Sequence, residues 1–176
     1  MTGHNKIRDA VHALAVTAAP SSCLEPMGLL PSRPLARPAD VLSGAGTSVY
    51  GCCALDVGVA CPWAAGNGDD CCAAMRRRKL DKARGWLAEA ASQGIGYEPM
   101  ICSSFGRWER EADRILDDLA RRAARRHGLS SHAGVARRAR CALGVEIMKR
   151  LVVCVRRCLP TAGDLVVDWS EEALLG

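Results

Sequence analysis

Apolar residues recur at helical spacing from residue 4 to about 19, with Ile7, Val11, Leu14 and Ala15 on one face and Pro20 as the stop. SSCLEPMGLL then reads as a short extended segment, and PSRPLARPA as a loop set by its prolines. ADVLS and CCALDVGVAC are strand patterns, and the glycines of GAGTSVYG between them predict a hairpin. The second strand has the clearest alternation. Cys53, Leu55, Val57, Val59 and Cys61 share a bulky apolar face, while Cys52, Ala54, Asp56, Gly58 and Ala60 form a face of small residues with a carboxylate at its centre.

Asp69 and Asp70 suit the start of a helix, which the pattern carries to about Gln93 with Gly94 beyond it. Its expected stripe is Leu80, Ala83, Leu87, Ala90 and Ala91. GYEPMICSS follows as another strand, so the helix is a crossover and the strands it joins are expected to be parallel. Two amphipathic helices complete the pattern, at about 108–127 with Ala112, Ile115, Leu116, Leu119, Ala120 and Ala123 inward, and at about 132–158. The final stretch, TAGDLVVDWSEEALLG, reads as a tail. The organisation expected is an α/β core over 1–105, a basic helical extension over 106–160 packed on it, and a tail over 161–176.

Composition agrees with a folded chain: of 176 residues, 49% are hydrophobic and 24% charged, and with only 4% aromatic the core must be built from Ala, Leu and Val. The net charge is +5, and the arginines crowd ARRAARRHG, ARRARC and MKRLVVCVRRC. Such clusters suit a polyanionic partner, or simply a solvated helix face. Ten cysteines include the adjacent pairs Cys52–Cys53 and Cys71–Cys72 but no C-x-x-C spacing, so they read as reduced thiols acting as small hydrophobes. The start lacks a signal-peptide layout and no apolar run reaches membrane-spanning length, so a nuclear or cytoplasmic chain that does not enter a membrane is expected.

A lone buried aspartate can simply cap a turn or hydrogen-bond to a loop, but two of them in paired strands raise a chemical question. Asp40 and Asp56 are set into two apolar strands of one expected hairpin. Like charges on neighbouring strands are costly unless a cation neutralises them, and an all-oxygen set suits magnesium or manganese. On that footing Asp56→Asn should raise the stability of the metal-free fold, provided Asp56 has no hydrogen-bonded partner.

RPAD followed by ALDVGV resembles the PD-(D/E)XK restriction-endonuclease-like superfamily, in particular the endonuclease domain at the C-terminal end of site-specific non-LTR retrotransposon polyproteins. The resemblance implies an αβββαβ core with additional C-terminal helices, a metal held by Asp40 and Asp56, and a lysine that orients the attacking water. The superfamily's usual lysine position is Gly58 here. In the retrotransposon branch the lysine lies on the following helix in a K-x-x-K-Y-like motif, which RRRKLDKA matches with Lys79 and Lys82, Ala83 replacing the tyrosine. With Leu80, Ala83 and Leu87 facing the sheet, Lys79 lies about 70° from the stripe's centre and Lys82 about 130°. Helix geometry thus favours Lys79 and motif position Lys82. Glu25, in CLEPMGLL, resembles the superfamily's first acidic motif and is a further metal-site residue by that likeness.

The expected function is metal-dependent DNA nicking, with Arg76, Arg77, Arg78, Arg121, Arg125, Arg137 and Arg138 contacting phosphates. The resemblance also implies reverse transcriptase and zinc-knuckle domains in a full-length element. Two alternatives stand beside it: an inactive nucleic-acid-binding relic of the same fold, and a cysteine-based metal or interaction module. His12, His127, Trp86 and Trp108 are expected to pack or cap.

Overall fold

The computed structural model describes residues 3–46, 50–62 and 70–158. The tail over 161–176, Asp69 and the centre of the hairpin turn lie outside the described residues. The elements are α1 (Gly3–Ala18), β1 (Cys23–Leu24), β2 (Val41–Ser43), β3 (Cys52–Ala60), α2 (Cys71–Ala83), α3 (Leu87–Ser92), β4 (Ile95–Ser103), α4 (Arg110–Arg126) and α5 (Ala133–Cys158).

The strands form one mixed sheet in the order β1-β2-β3-β4. β1 and β2 pair antiparallel, as do β2 and β3, which is the expected hairpin. β3 and β4 run parallel along nine residue pairs, joined by the α2–α3 crossover. Pro99 sits in the middle of β4 opposite Asp56. An edge strand tolerates a proline because its missing N–H can point away from the ladder.

The alternation along β3 divides the interior. Cys53, Leu55 and Val57 join Val41, Met100 and Cys102 in a cluster closed by Ile7, Val11, Leu14 and Ala15 of α1 and by Leu116, Leu119, Ala123, Leu143 and Ile147 of α4 and α5. The C-terminal helices therefore share the sheet's largest core. Each fully buried Leu, Ile or Val there contributes about 1.5–3 kcal/mol through burial. On the opposite face, Ala54 packs with Leu29, Leu30, Ala39, Ala90 and Ile95, and Ala60 with Cys71, Cys72 and Ile101.

The crossover departs from the expected single helix. It breaks at residues 84–86, where Gly85 weakens the helix and Trp86 turns inward against the Tyr97 ring, with centroids 4.9 Å apart and planes at 79°. Asp70 caps α2, accepting from the N–H groups of Cys72 and Ala73 at 3.0 and 3.1 Å. The break also divides the expected stripe: Ala83 and Ala90 are buried, whereas Leu80 and Leu87 are only half-buried. On α2 the buried residues begin with Cys71 and Cys72, and Met75 packs beside them. Met75 and Lys79 follow at helical spacing on this inward side, so Lys79 lies nearer the sheet than a stripe centred on Ala83 implies.

Candidate functional site

Three acidic residues fall in one row across the sheet. Leu24 pairs with Val41 and Val41 with Leu55, so the next step brings Glu25, Asp40 and Asp56 abreast. Backbone bonds carry the pairing into that row: Glu25 N–H donates to Asp40 O at 2.8 Å, and Asp40 N–H to Leu55 O at 3.1 Å. Sharing a row does not make the three side chains equivalent.

Asp56 is held at both oxygens. Lys79 Nζ donates to Oδ1 at 2.5 Å and to the Val57 carbonyl at 2.9 Å, and the Tyr97 hydroxyl donates to Oδ2 at 2.8 Å. Lys79 and Asp56 side chains are each 22% exposed, so the pair is shielded yet reachable from solvent. The lysine fits because residue 58 is glycine. A Cβ there would stand 2.8 Å from Ile101 Cδ1, 2.9 Å from Met75 Sδ and 3.0 Å from Lys79 Cε. Lys82, one turn further on, is exposed. Of the two lysines, the structure brings Lys79 to Asp56.

Asp40 faces its neighbours differently. Its Oδ2 accepts from the Val57 N–H at 2.8 Å, continuing the ladder where β2 runs out, and its Oδ1 lies 3.2 Å from His4 Nε2 of α1. Glu25 has a left-handed backbone, φ 43°, and ends β1. Its carboxylate pairs with Arg8 and, at 2.5 Å, with Arg37. The structure thus spends Glu25 on two guanidinium groups and does not add it to the other two acids in a single cage. Among the described residues no group of three or more His, Cys, Asp or Glu side chains is placed to hold a metal. Burial also explains the thiols: Cys53 and Cys102 are pushed up to about 12 and Cys72 to about 11, so they stay protonated and pack as small apolar groups. Cys53, Cys71, Cys72 and Cys102 are buried free thiols.

Tyr97, His4, Arg8, Arg37 and the Val57 peptide are partners that the sequence pattern did not identify. His4 and Arg8 are separated by four residues on α1, a spacing that puts them on one face. Tyr97 had no such local signal. It pairs with Ala54, and Asp56 lies two residues further along the same face of β3, a diagonal that an aromatic side chain can reach.

The arginines divide by environment. Arg76 bonds Glu98 at 2.9 Å, lies 3.6 Å from Glu109 and reaches the Pro99 carbonyl, so much of its charge is spent tying α2 to β4 and the start of α4. Arg121 pairs with Asp118 on its own helix at 2.8 Å. Arg77, Arg78, Arg125, Arg137 and Arg138 are exposed. Arg140 clamps α5 to Asp113 and Asp117 of α4 at 2.9 Å. His12 reaches the Ser22 carbonyl at 3.4 Å, and His127 caps the end of α4, so both serve structure.

Among the described residues no helix is long and apolar enough to cross a membrane. No protein-family model matches the chain, and no curated protein is similar to it in sequence.

Proposed function

We propose that the chain is a metal-dependent DNA endonuclease built on a restriction-endonuclease-like core, of the kind found in site-specific non-LTR retrotransposons. The observation that carries the reading is the Lys79–Asp56 pair over Gly58. A glycine occupies the position where the superfamily resemblance expects a lysine, and Lys79 of the next helix passes beside it to reach Asp56, its Cε 3.0 Å from where a Cβ would stand and next to Ile101 and Met75. The order of helix, three antiparallel strands, helix and parallel strand agrees with the same reading.

The donor set fits a hard cation. Asp56 Oδ1 and the Val57 carbonyl converge on one positive group, Lys79 Nζ, and Asp40 binds the N–H of the same Val57. Magnesium characteristically takes one or two carboxylates and completes its shell with water and substrate phosphate oxygens. Asp56, Asp40 and the Val57 carbonyl are the residues that would hold magnesium or manganese, whose contribution would be to polarise the phosphodiester and lower the pKa of a bound water. In hydrolysis a water oxygen adds to phosphorus, the P–O bond to the leaving nucleoside breaks, and the water's proton ends on the leaving oxygen. Lys79 orients that water and offsets negative charge developing on the phosphate. Arg77, Arg125, Arg137 and Arg138 bind the backbone without reading sequence.

A second reading has its own support. All four oxygens of Asp40 and Asp56 already meet donor groups of the chain, as expected of a fold that keeps its shape and binds nucleic acid without cleaving it. A supercoiled-plasmid assay with millimolar magnesium or manganese, paired with calorimetry of manganese binding, separates the two. The endonuclease reading expects metal-dependent open-circular product and measurable heat. Folded wild-type protein that binds DNA, shows no heat and nicks nothing would establish the binding module instead.

A further inference from the structure

We propose that Tyr97 is a positioning residue of this site, fixing the plane of the Asp56 carboxylate so that Oδ1 faces Lys79 and the Val57 carbonyl. The role in catalysis rests on the endonuclease reading; the contact itself rests on geometry alone.

A carboxylate bound at one oxygen can still rotate, because the terminal torsion of aspartate is broad and roughly two-fold. Lys79 engages only Oδ1. The second donor, Tyr97 Oη at 2.8 Å from Oδ2, removes that freedom. The phenol is itself held firmly. Its ring meets Trp86 edge to face and packs beside the cluster containing Leu30, Ala54 and Ala90. Its backbone lies in the nine-pair parallel ladder. Three elements therefore meet at one carboxylate: α2 through Lys79, β4 through Tyr97, and β3, which carries Asp56.

The hydroxyl donates to Asp56 Oδ2, so its effect on the reaction comes through the carboxylate it orients.

Tyr97→Phe removes the hydroxyl and leaves the ring on Trp86. The tests are the 13Cγ resonance of Asp56 in labelled protein at fixed pH and, with plasmid substrate, the separate values of kcat and KM. The expected results are a displaced Asp56 resonance, kcat lower by roughly tenfold or more as orientation is lost, and KM for DNA within about twofold of wild type. Trp86→Phe, which alters the packing and keeps the hydroxyl, should leave the resonance near its wild-type position. An Asp56 resonance unmoved in folded Tyr97→Phe overturns the proposal. So does an unchanged kcat in a protein whose wild type nicks DNA, or a loss confined to KM. Should wild type bind manganese and nick nothing, the endonuclease reading falls, and the resonance still decides whether Tyr97 positions Asp56.

Discussion

Gly58 and Lys79 occupy what would otherwise be a single contested volume: the lysine's Cε stands 3.0 Å from where a Cβ on residue 58 would be. Strand and helix are thereby coupled, since the smallest residue on β3 sets how closely the α2 side chain can cross the sheet. Ile101 and Met75 bound the same space at 2.8 and 2.9 Å. Gly58→Ala should therefore lower stability by no more than about 1 kcal/mol, because the three atoms it meets are ends of side chains that can shift. It should also push Lys79 off Asp56 and reduce nicking more than the stability loss explains. Urea titration and the plasmid assay on the same preparation check both. A variant as stable and active as wild type would mean that the space is not contested.

Lys79→Ala and Lys82→Ala should differ sharply. The first removes the group bound to Asp56 Oδ1 and should reduce nicking by at least about a hundredfold, as losing a preorganised charge at a reacting centre commonly does. The second truncates an exposed side chain and should stay within about 0.5 kcal/mol of wild-type stability with nicking nearly unchanged. Equal, small losses in both would remove Lys79 from the mechanism.

Asp56→Asn reverses a sequence-based expectation. Repulsion from Asp40 alone would make the amide stabilising, but Asp56 has the hydrogen-bonded partners on which that expectation was conditional. An asparagine loses the charge that Lys79 pairs with and keeps one acceptor oxygen in place of two. With the pair 22% exposed on each side, screening limits the loss to about 1–2 kcal/mol. Differential scanning calorimetry without metal should show a melting temperature lower by about 2–4 °C per kcal/mol. A higher one would restore the repulsion argument.

Alkaline stability follows from the buried thiols. Cys53 and Cys102 are raised by burial from 9.0 to about 12 in the folded chain. Below pH 9 both states are protonated and the full stability is present. Between 9 and about 12 the unfolded chain ionises first, so the fold loses about 1.4 kcal/mol per pH unit for each thiol. Chemical denaturation at pH 8, 9.5 and 10.5 should show this decline. Cys53→Ala should flatten it while lowering stability at pH 8; an undiminished slope would assign the effect to other groups.

DNA binding should weaken steeply with salt, because arginine–phosphate contacts release counterions. Arg137→Ala and Arg138→Ala should each reduce the slope of log K against log salt by about 1 and leave the fold intact. Arg76→Ala should act mainly on stability, because its guanidinium joins Glu98 and Glu109. Fluorescence anisotropy across a salt series, with a melt of each variant, distinguishes these roles.

Much of the fold was legible because its signals are local. The alternation from Cys53 to Ala60 sets which side chains meet the core and puts Asp56 and Gly58 on the small-residue face. Asp70 announces the start of α2, and the 3.6-residue period of α4 places Leu116 and Leu119 inward. Helix periodicity favoured Lys79 over Lys82 and motif position the reverse, so the choice between them was not settled locally. It depends on how α2 is rotated against the sheet, and the stripe drawn through Leu80, Ala83 and Leu87 assumed a helix that in fact breaks beside Gly85. Tyr97 reaches Asp56 only because β3 and β4 pair in one particular register, which a long crossover leaves open until both strands are packed. Glu25 stands in the same row as Asp40 and Asp56, but the left-handed turn at Glu25 and the positions of Arg8 and Arg37 direct its carboxylate to arginine. Periodicity determines the face a residue occupies. Which partner it meets there is decided by the rotation, register and backbone turns that the assembled core imposes.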